Sequence, residues 1–256
     1  MDNRIHKIHS DIVRDKGKLE MLRSLFFKLI LGVWFLLWTP FLVLGLVSSK
    51  LERIFILADA WGVLFLLRVI AGIKYEIHYP LIDDEEGIPF KHNINQRLDG
   101  RAIIASKHMS MLEVAILVTH VPNAFFIIKR ELLWIPIYGW AFWRIGLLGV
   151  NRARGATNMQ KLAARVTEKI MKGMTLIIFP EGTRVAPKQN APLRRGLLFL
   201  AEHLKLPIMP VSLDTGLYWP KRGRTKPGTT HIYFEHELPS TATLDEVSEA
   251  INRHSC

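Results

Sequence analysis

The chain has 256 residues, 49% hydrophobic and 22% charged, with 34 Lys/Arg against 23 Asp/Glu for a formal net charge of +11. That is too apolar for a disordered chain and long enough for one full core plus additional elements. The single cysteine, Cys256, excludes an internal disulfide and a cysteine-based metal site. A pI of about 9.9 with a mean hydropathy of +0.17 points to anionic partners, whether nucleic acid, an acidic membrane surface or a phosphorylated substrate.

Residues 1 to 24 are polar and carry Arg4, Lys7, Arg14, Lys16, Lys18 and Arg23. From Leu29 to Val47 there follow 19 residues without a charge, 15 of them apolar. As a helix they span roughly 28 Å, close to the hydrocarbon thickness of a bilayer. Trp34 and Trp38 suit interfacial anchoring, and Pro40 is expected to kink the helix. The stretch is too long and starts too late for a secretory signal. A second apolar stretch, Ile54 to Ile73, contains Asp59 and Arg68 and lies only six residues (Ser48 to Arg53) beyond the first. Together they predict a helical hairpin, re-entrant or interfacial. Its basic N-terminal flank places both chain ends on the cytoplasmic side, and an unpaired cysteine is compatible with that.

From Lys74 onward short apolar runs alternate with helical periods, the pattern of an α/β domain. The division expected is therefore 1–73 as a membrane-binding segment and 74–256 as the α/β domain. Candidate strands are Lys74–Tyr79, Ala102–Ser106, Ala124–Ile128, Leu176–Phe179, Ile208–Leu213 and His231–Glu235. Residues 83–100 read as a polar loop. Ala156–Lys172 reads as an amphipathic helix through Met159, Leu162, Ala163, Val166 and Ile170, ending before Gly173. Thr243 and Glu246 form a capping-box pattern that opens a last helix.

Four blocks look unlike ordinary packing. The first is Ser106-Lys107-His108-Met109-Ser110-Met111-Leu112-Glu113, after a strand and opening a helix. Ser110 and Glu113 fit a capping box, while His108 and Glu113 fit a base with its orienting carboxylate; spacing alone favours the former. The second block is Lys129-Arg130-Glu131-Leu132, then Pro136, Gly139 and Arg152, with adjacent cations at a strand end that suit a phosphate. The third is Phe179-Pro180-Glu181-Gly182-Thr183-Arg184, a strand entering a tight turn that carries an arginine fork. The fourth is Met209-Pro210-Val211, whose proline predicts an edge or irregular strand. Between Arg184 and Lys226 stand nine Lys/Arg against two acids. No zinc-finger, P-loop, dinucleotide or Gly-x-Ser-x-Gly signature accompanies them.

In this order the four blocks resemble those of the 1-acyl-sn-glycerol-3-phosphate acyltransferases, over roughly residues 74 to 215. The first matches the family's His-x-x-x-x-Asp, with Glu113 for the usual Asp and Lys107 where Asn is common. The third, Phe179 to Arg184, matches without change. The resemblance implies an α/β fold, a mixed sheet flanked by helices, behind an N-terminal membrane-associated helical hairpin. It implies transfer of a fatty acyl group from acyl-CoA or acyl carrier protein to the 2-hydroxyl of 1-acyl-glycerol 3-phosphate. His108 and Glu113 are then catalytic, and Lys129, Arg130, Arg152, Glu181, Gly182, Thr183 and Arg184 bind substrate. No metal or cofactor beyond the acyl donor is implied. Expected partners are a lysophospholipid acceptor, the acyl donor and membrane lipid, not nucleic acid. If the chain is bacterial, the expected location is the cytoplasmic face of the inner membrane. Two other readings stay open: an acyltransferase for another lysolipid, glycerol 3-phosphate or a lyso-aminolipid, and a catalytically weak protein that binds anionic lipid.

Overall fold

In the computed structural model of the chain, residues 2–80, 101–121, 123–151 and 156–255 are described, apart from the side chains of 2–16 and 156–158. Arg152 and the polar stretch 83–100 lie outside the described residues.

Two helices open the chain. α1 (Asp2–Gly45) runs unbroken through Pro40, and α2 (Ser49–Leu66) continues into a π-helical turn, Leu67–Ala71. The connection is only Leu46–Ser48, so Lys50, Glu52 and Arg53 belong to the start of α2 rather than to a linker. Trp34 and Trp38 do not face outward. The Trp34 indole donates to Asp59 Oδ1 (2.7 Å), that of Trp38 donates to the Phe55 carbonyl (3.1 Å), and the two rings stack on each other. They clasp α2, because the ring of Trp34 fits against Gly62, where a Cβ would overlap it. The outer face instead exposes Leu25, Leu29, Leu36 (72% exposed), Leu44 and Phe65. Gly17–Gly45 and Ser49–Ala71 are both long and apolar enough to cross a membrane, and this open apolar face marks the hairpin as membrane-associated.

Among the described residues seven strands follow: β1 (Ile73–His78), β2 (Ile103–Ser106), β3 (Ala124–Lys129), β4 (Leu148–Val150), β5 (Thr175–Ile178), β6 (Ile208–Leu213) and β7 (Gly228–Phe234). Their order in the sheet is β1-β7-β6-β2-β5-β3-β4. β6, β2, β5, β3 and β4 run parallel, while β7 pairs antiparallel with β6 and β1 follows β7. Strands β2 and β6 are buried throughout, as expected of the middle of a sheet covered on both faces. Among the described residues, the strand without a counterpart in the sequence reading is the three-residue β4.

The Pro210 expectation needs correction. β6 is a central strand, not an edge. Its parallel partner β2 is in register at Ala105 opposite Pro210, and on the other side the ladder with β7 begins only at Val211. Pro210 gives no N–H there but its carbonyl still accepts from Glu235 N–H (2.9 Å), so the proline marks where that ladder starts.

One face of the sheet packs under the hairpin and α3 (Leu112–His120), joining Phe27, Leu31, Val63 and Leu67 to Ile104, Ile116, Met209 and Ile232. The other is covered by α5 (Ala156–Ile170), α6 (Gly196–Leu204) and α7 (Leu244–Asn252), through Leu162, Val166, Leu200 and Ile251. A short helix, α4 (Tyr138–Arg144), lies between β3 and β4. The capping box expected at Thr243 and Glu246 is present in full.

Candidate active site

Parallel strands present their C-terminal ends at one edge, where α/β sheets hold ligands. Here β2, β5 and β3 are neighbours, so the loops that carry His108, Glu181 and Lys129 leave the sheet side by side. β6 also ends at this edge, and Thr215 follows it.

The His108 ring donates from Nδ1 to Glu113 Oε1 (2.8 Å). Glu113 has no solvent exposure. Its Oε1 also accepts from the backbone N–H groups of Met109 (2.9 Å) and Ser110 (2.8 Å), and its Oε2 from Ser110 N–H (3.0 Å) and Thr215 Oγ1 (2.7 Å). The orienting geometry of Glu113 is present, and the capping box only by half: Glu113 accepts from Ser110 N–H, but α3 starts after Met111 and Ser110 Oγ accepts from Leu112 N–H (3.1 Å) instead of Glu113 N–H. One carboxylate satisfies the orphan donors ahead of α3 and also fixes the imidazole. With Nδ1 donating, Nε2 keeps its lone pair. The ring stacks on Phe179 at 4.1 Å and remains partly open, with 17% of the side chain exposed.

The backbone of His108 is held by the third block. Its N–H donates to Glu181 Oε2 (2.9 Å) and its carbonyl accepts from Val185 N–H (2.8 Å). Glu181 is buried, at the third position of a tight turn closed by Gly182 N–H donating to the Phe179 carbonyl (3.0 Å). Gly182 takes φ +70°, a region that favours glycine. The other Glu181 oxygen faces the Lys107 ammonium at 3.3 Å, both side chains 1% exposed. Lys107 Nζ also donates to the Gln189 carbonyl (3.0 Å), to Asn190 Oδ1 (3.3 Å) and to Asn252 Oδ1. Burial raises the Glu181 pKa above its ordinary value, opposed by the His108 N–H bond and the Lys107 charge. Glu181 thus bears on the site through the backbone of His108.

Thr183 and Arg184 line a groove of about 560 Å³ beside this loop, with Pro187, Lys221 and Arg222 on its walls. Lys129 and Arg130 stand exposed at the end of β3, two strand spacings (about 10 Å) from β2, with Lys129 3.7 Å from Glu131. Arg152 falls outside the described residues.

Three neighbours escaped the sequence reading: Lys107 as a buried partner of Glu181, Thr215 as a donor to Glu113, and the Lys221–Arg222 wall. The signal for the first is Glu181, a carboxylate that the turn itself does not need and that requires a cation once buried. Among the described residues, one group of metal-ligating side chains converges: Glu76, His78 and His231, with His78 Nε2 3.1 Å from His231 Nδ1. It sits on β1 and β7 at the far side of the sheet, apart from the dyad. Beside His108 both carboxylates are already engaged, Glu113 by donors and Glu181 by Lys107.

A family model described as Acyltransferase matches residues 88–214. A 1-acyl-sn-glycerol-3-phosphate acyltransferase of Pseudomonas aeruginosa is 31% identical over 243 residues, spanning 90% of this chain and 89% of that protein. A protein of the same name from Limnanthes douglasii is 30% identical over 178 residues, and that match spans 66% of this chain and 63% of the plant protein, under two thirds of its length. The crystal structure of the 1-acyl-sn-glycerophosphate (LPA) acyltransferase PlsC from Thermotoga maritima shares the fold, with a TM-score of 0.67 at 20% identity over 94% of this chain and 97% of the other. Identity of this extent, along nearly the whole of both chains, makes this chain a member of the 1-acyl-sn-glycerol-3-phosphate acyltransferase family.

Proposed function

We propose that the protein transfers a fatty acyl group from acyl-CoA or acyl carrier protein to the 2-hydroxyl of 1-acyl-glycerol 3-phosphate, giving phosphatidic acid. The observation that carries this reading is the His108–Glu113 pair, with Nδ1 committed to a buried, four-donor carboxylate and Nε2 kept for a proton. Nε2 takes the proton of the acceptor hydroxyl as its oxygen attacks the thioester carbonyl. Glu113 stabilises the imidazolium that forms. The carbon–sulfur bond then breaks and the imidazolium returns the proton to the departing thiolate. No covalent acyl-enzyme and no cofactor beyond the donor is needed for this balance.

Arg184, with Thr183, Lys129 and Arg130, binds the acceptor phosphate in this reading, since guanidinium and ammonium groups at one strand edge suit a dianionic oxygen cluster, and Arg152 is given the same role from the family motif alone. Gly182 gives the turn its shape. Glu181 is a positioning residue that sets the His108 backbone. Residues 1–73 form the membrane seat and 74–256 the catalytic domain, on the cytoplasmic face of the inner membrane in a bacterium. The test is thioester consumption by purified protein with lysophosphatidic acid, beside His108→Ala. Thioester loss that requires both the acceptor and His108 supports the reading. Consumption only with a different lysolipid moves the acceptor, and consumption that persists in folded His108→Ala overturns the mechanism.

A further inference from the structure

The connection from β3 to β4 exposes large apolar side chains that the core does not use. Within residues 132–143, Leu132 is 40% exposed, Trp134 69%, Ile135 42%, Trp140 56% and Trp143 64%. Three indoles in so short a water-facing segment form a patch that a soluble surface avoids. We infer that this segment is a third membrane-contacting element, seated in the headgroup layer of an anionic phospholipid bilayer beside the hairpin. The inference rests on the reading of the hairpin as the membrane seat.

The segment is built to hold this shape. Ile137 takes φ +66° and ψ −61°, and Tyr138 N–H donates to the Pro136 carbonyl (2.7 Å). That is a γ-turn with positive φ, which a β-branched residue adopts only under constraint. It separates Trp134 and Ile135 from Trp140 and Trp143. Gly139 packs so closely on the Leu133 backbone that a Cβ would overlap it.

Two hydrogen bonds make the patch continuous with the hairpin. The Tyr138 hydroxyl donates to the Phe35 carbonyl (3.2 Å), and Arg144 donates from Nη2 to the Val47 carbonyl (3.2 Å) at the hairpin turn. Val47 there is 81% exposed, and Val43 and Leu44 beside it are exposed as well. The charges next to the indoles favour a lipid surface as the occupant. Lys129, Arg130 and Glu131 lead into the segment, with Lys129 3.7 Å from Glu131, and Lys50 opens α2, so the exposed charge of these four is net positive. Indoles at headgroup depth with cations beside them match the aromatic belt and the negative potential of an anionic leaflet. The consequence is that the loop following Lys129 and Arg130 rests on the bilayer from which an amphiphilic acceptor arrives.

The test uses the full chain in a Cys256→Ser background, with Trp134→Cys or Trp140→Cys carrying an environment-sensitive fluorophore. Leu36→Cys on the hairpin and Lys172→Cys, exposed ahead of β5 at the opposite sheet edge, are labelled for comparison. Each protein is reconstituted into phosphatidylcholine–phosphatidylglycerol vesicles and probed with aqueous iodide and with lipids spin-labelled near the headgroup. Blue-shifted emission, loss of iodide quenching and gain of lipid quenching at 134 and 140, as at 36 and unlike 172, is the expected result. Iodide access at both 134 and 140 with Leu36→Cys shielded overturns this inference alone. Access at 36 as well overturns the membrane seat itself. Shielding at 134 and 140 that disappears when the protein is diluted into excess lipid assigns the patch to a second copy of the chain and overturns the bilayer as its occupant.

Discussion

Replacing Glu113 by Gln is the sharpest perturbation of the proposed dyad. Glu113 Oε1 accepts from His108 Nδ1, Met109 N–H and Ser110 N–H at 2.8–2.9 Å, and Oε2 accepts from Thr215 Oγ1 at 2.7 Å. The amide oxygen of Gln fits the first position, where three donors converge. Its NH2 then faces Thr215, whose hydroxyl can turn to accept, and gives up the longer Ser110 N–H contact (3.0 Å), while that N–H keeps its 2.8 Å bond to the oxygen at the first position. The imidazole orientation and tautomer survive and the charge does not. A charge-assisted hydrogen bond contributes about 1.5–3 kcal/mol. At about 1.4 kcal/mol per tenfold, kcat should fall about 10- to 150-fold. KM for the acceptor and the melting temperature should change little. Glu113→Asp asks the complementary question, because it keeps the charge but shortens the reach by one carbon–carbon bond, about 1.5 Å. Contacts of 2.7–3.0 Å cannot all survive that, so Glu113→Asp should lose both stability and rate although the chemical group is retained. Both proteins are assayed by thiol release from the acyl donor at saturating acceptor, with melting curves in parallel. A Glu113→Gln protein that melts like the wild type and turns over within twofold of it (less than about 0.5 kcal/mol) refutes the claim that the carboxylate stabilises an imidazolium.

His108→Ala should lower turnover by about 10²–10⁴ while leaving the melting temperature nearly unchanged, because the ring lies at the mouth of the site; a folded variant with ordinary turnover contradicts the base. Arg184→Ala should raise KM for a phosphate-bearing acceptor much more than for a phosphate-free lysolipid, and an equal effect on both removes Arg184 from phosphate binding. Lys107→Met leaves a buried carboxylate without its cation and should cost about 3–5 kcal/mol of stability. Adding Glu181→Gln to Lys107→Met should recover part of that loss, so additive penalties in chemical denaturation would count against a coupled pair. Glu181 has a raised pKa, so its contribution is fullest when it is protonated and is lost as the pH climbs from the ordinary carboxylate value through the raised one. The melting-temperature advantage of wild type over Glu181→Gln should therefore shrink with rising pH across that window; an advantage that grows contradicts the burial argument.

Lys107 and Glu181 also help to fix the catalytic loop, alongside Met109, which anchors it in the apolar core. Four polar groups surround the Lys107 ammonium, contributed by the Glu181 turn, by residues 189 and 190, and by α7 through Asn252. The loop between β2 and α3 is thereby tied to three other segments through one buried cation. An apolar residue at 107 would pack, but it would leave Glu181 with the His108 N–H alone. The arrangement trades desolvation of two charges for a single backbone position at His108, which is the geometry that proton transfer depends on.

The sequence carried the strands well because their signals are local. β6 reads from Ile208 to Leu213 and is observed over those residues, since a run of buried apolar side chains between two turns admits little else. β4 was not legible, because three residues with a glycine at the centre have neither period nor length. The dyad was half legible. Five positions separate His108 from Glu113, and only the turn before α3 brings them within 2.8 Å; periodicity contains no information about that turn. Spacing to Ser110 suggests a capping box, and only the Ser110 N–H to Glu113 half of it forms, because α3 starts one residue later, after Met111. Thr215 lies 102 residues from Glu113 and enters the site only because β6 and β2 are parallel neighbours. No motif can contain that contact. It follows from strand order, which the sequence does not display until the sheet is assembled.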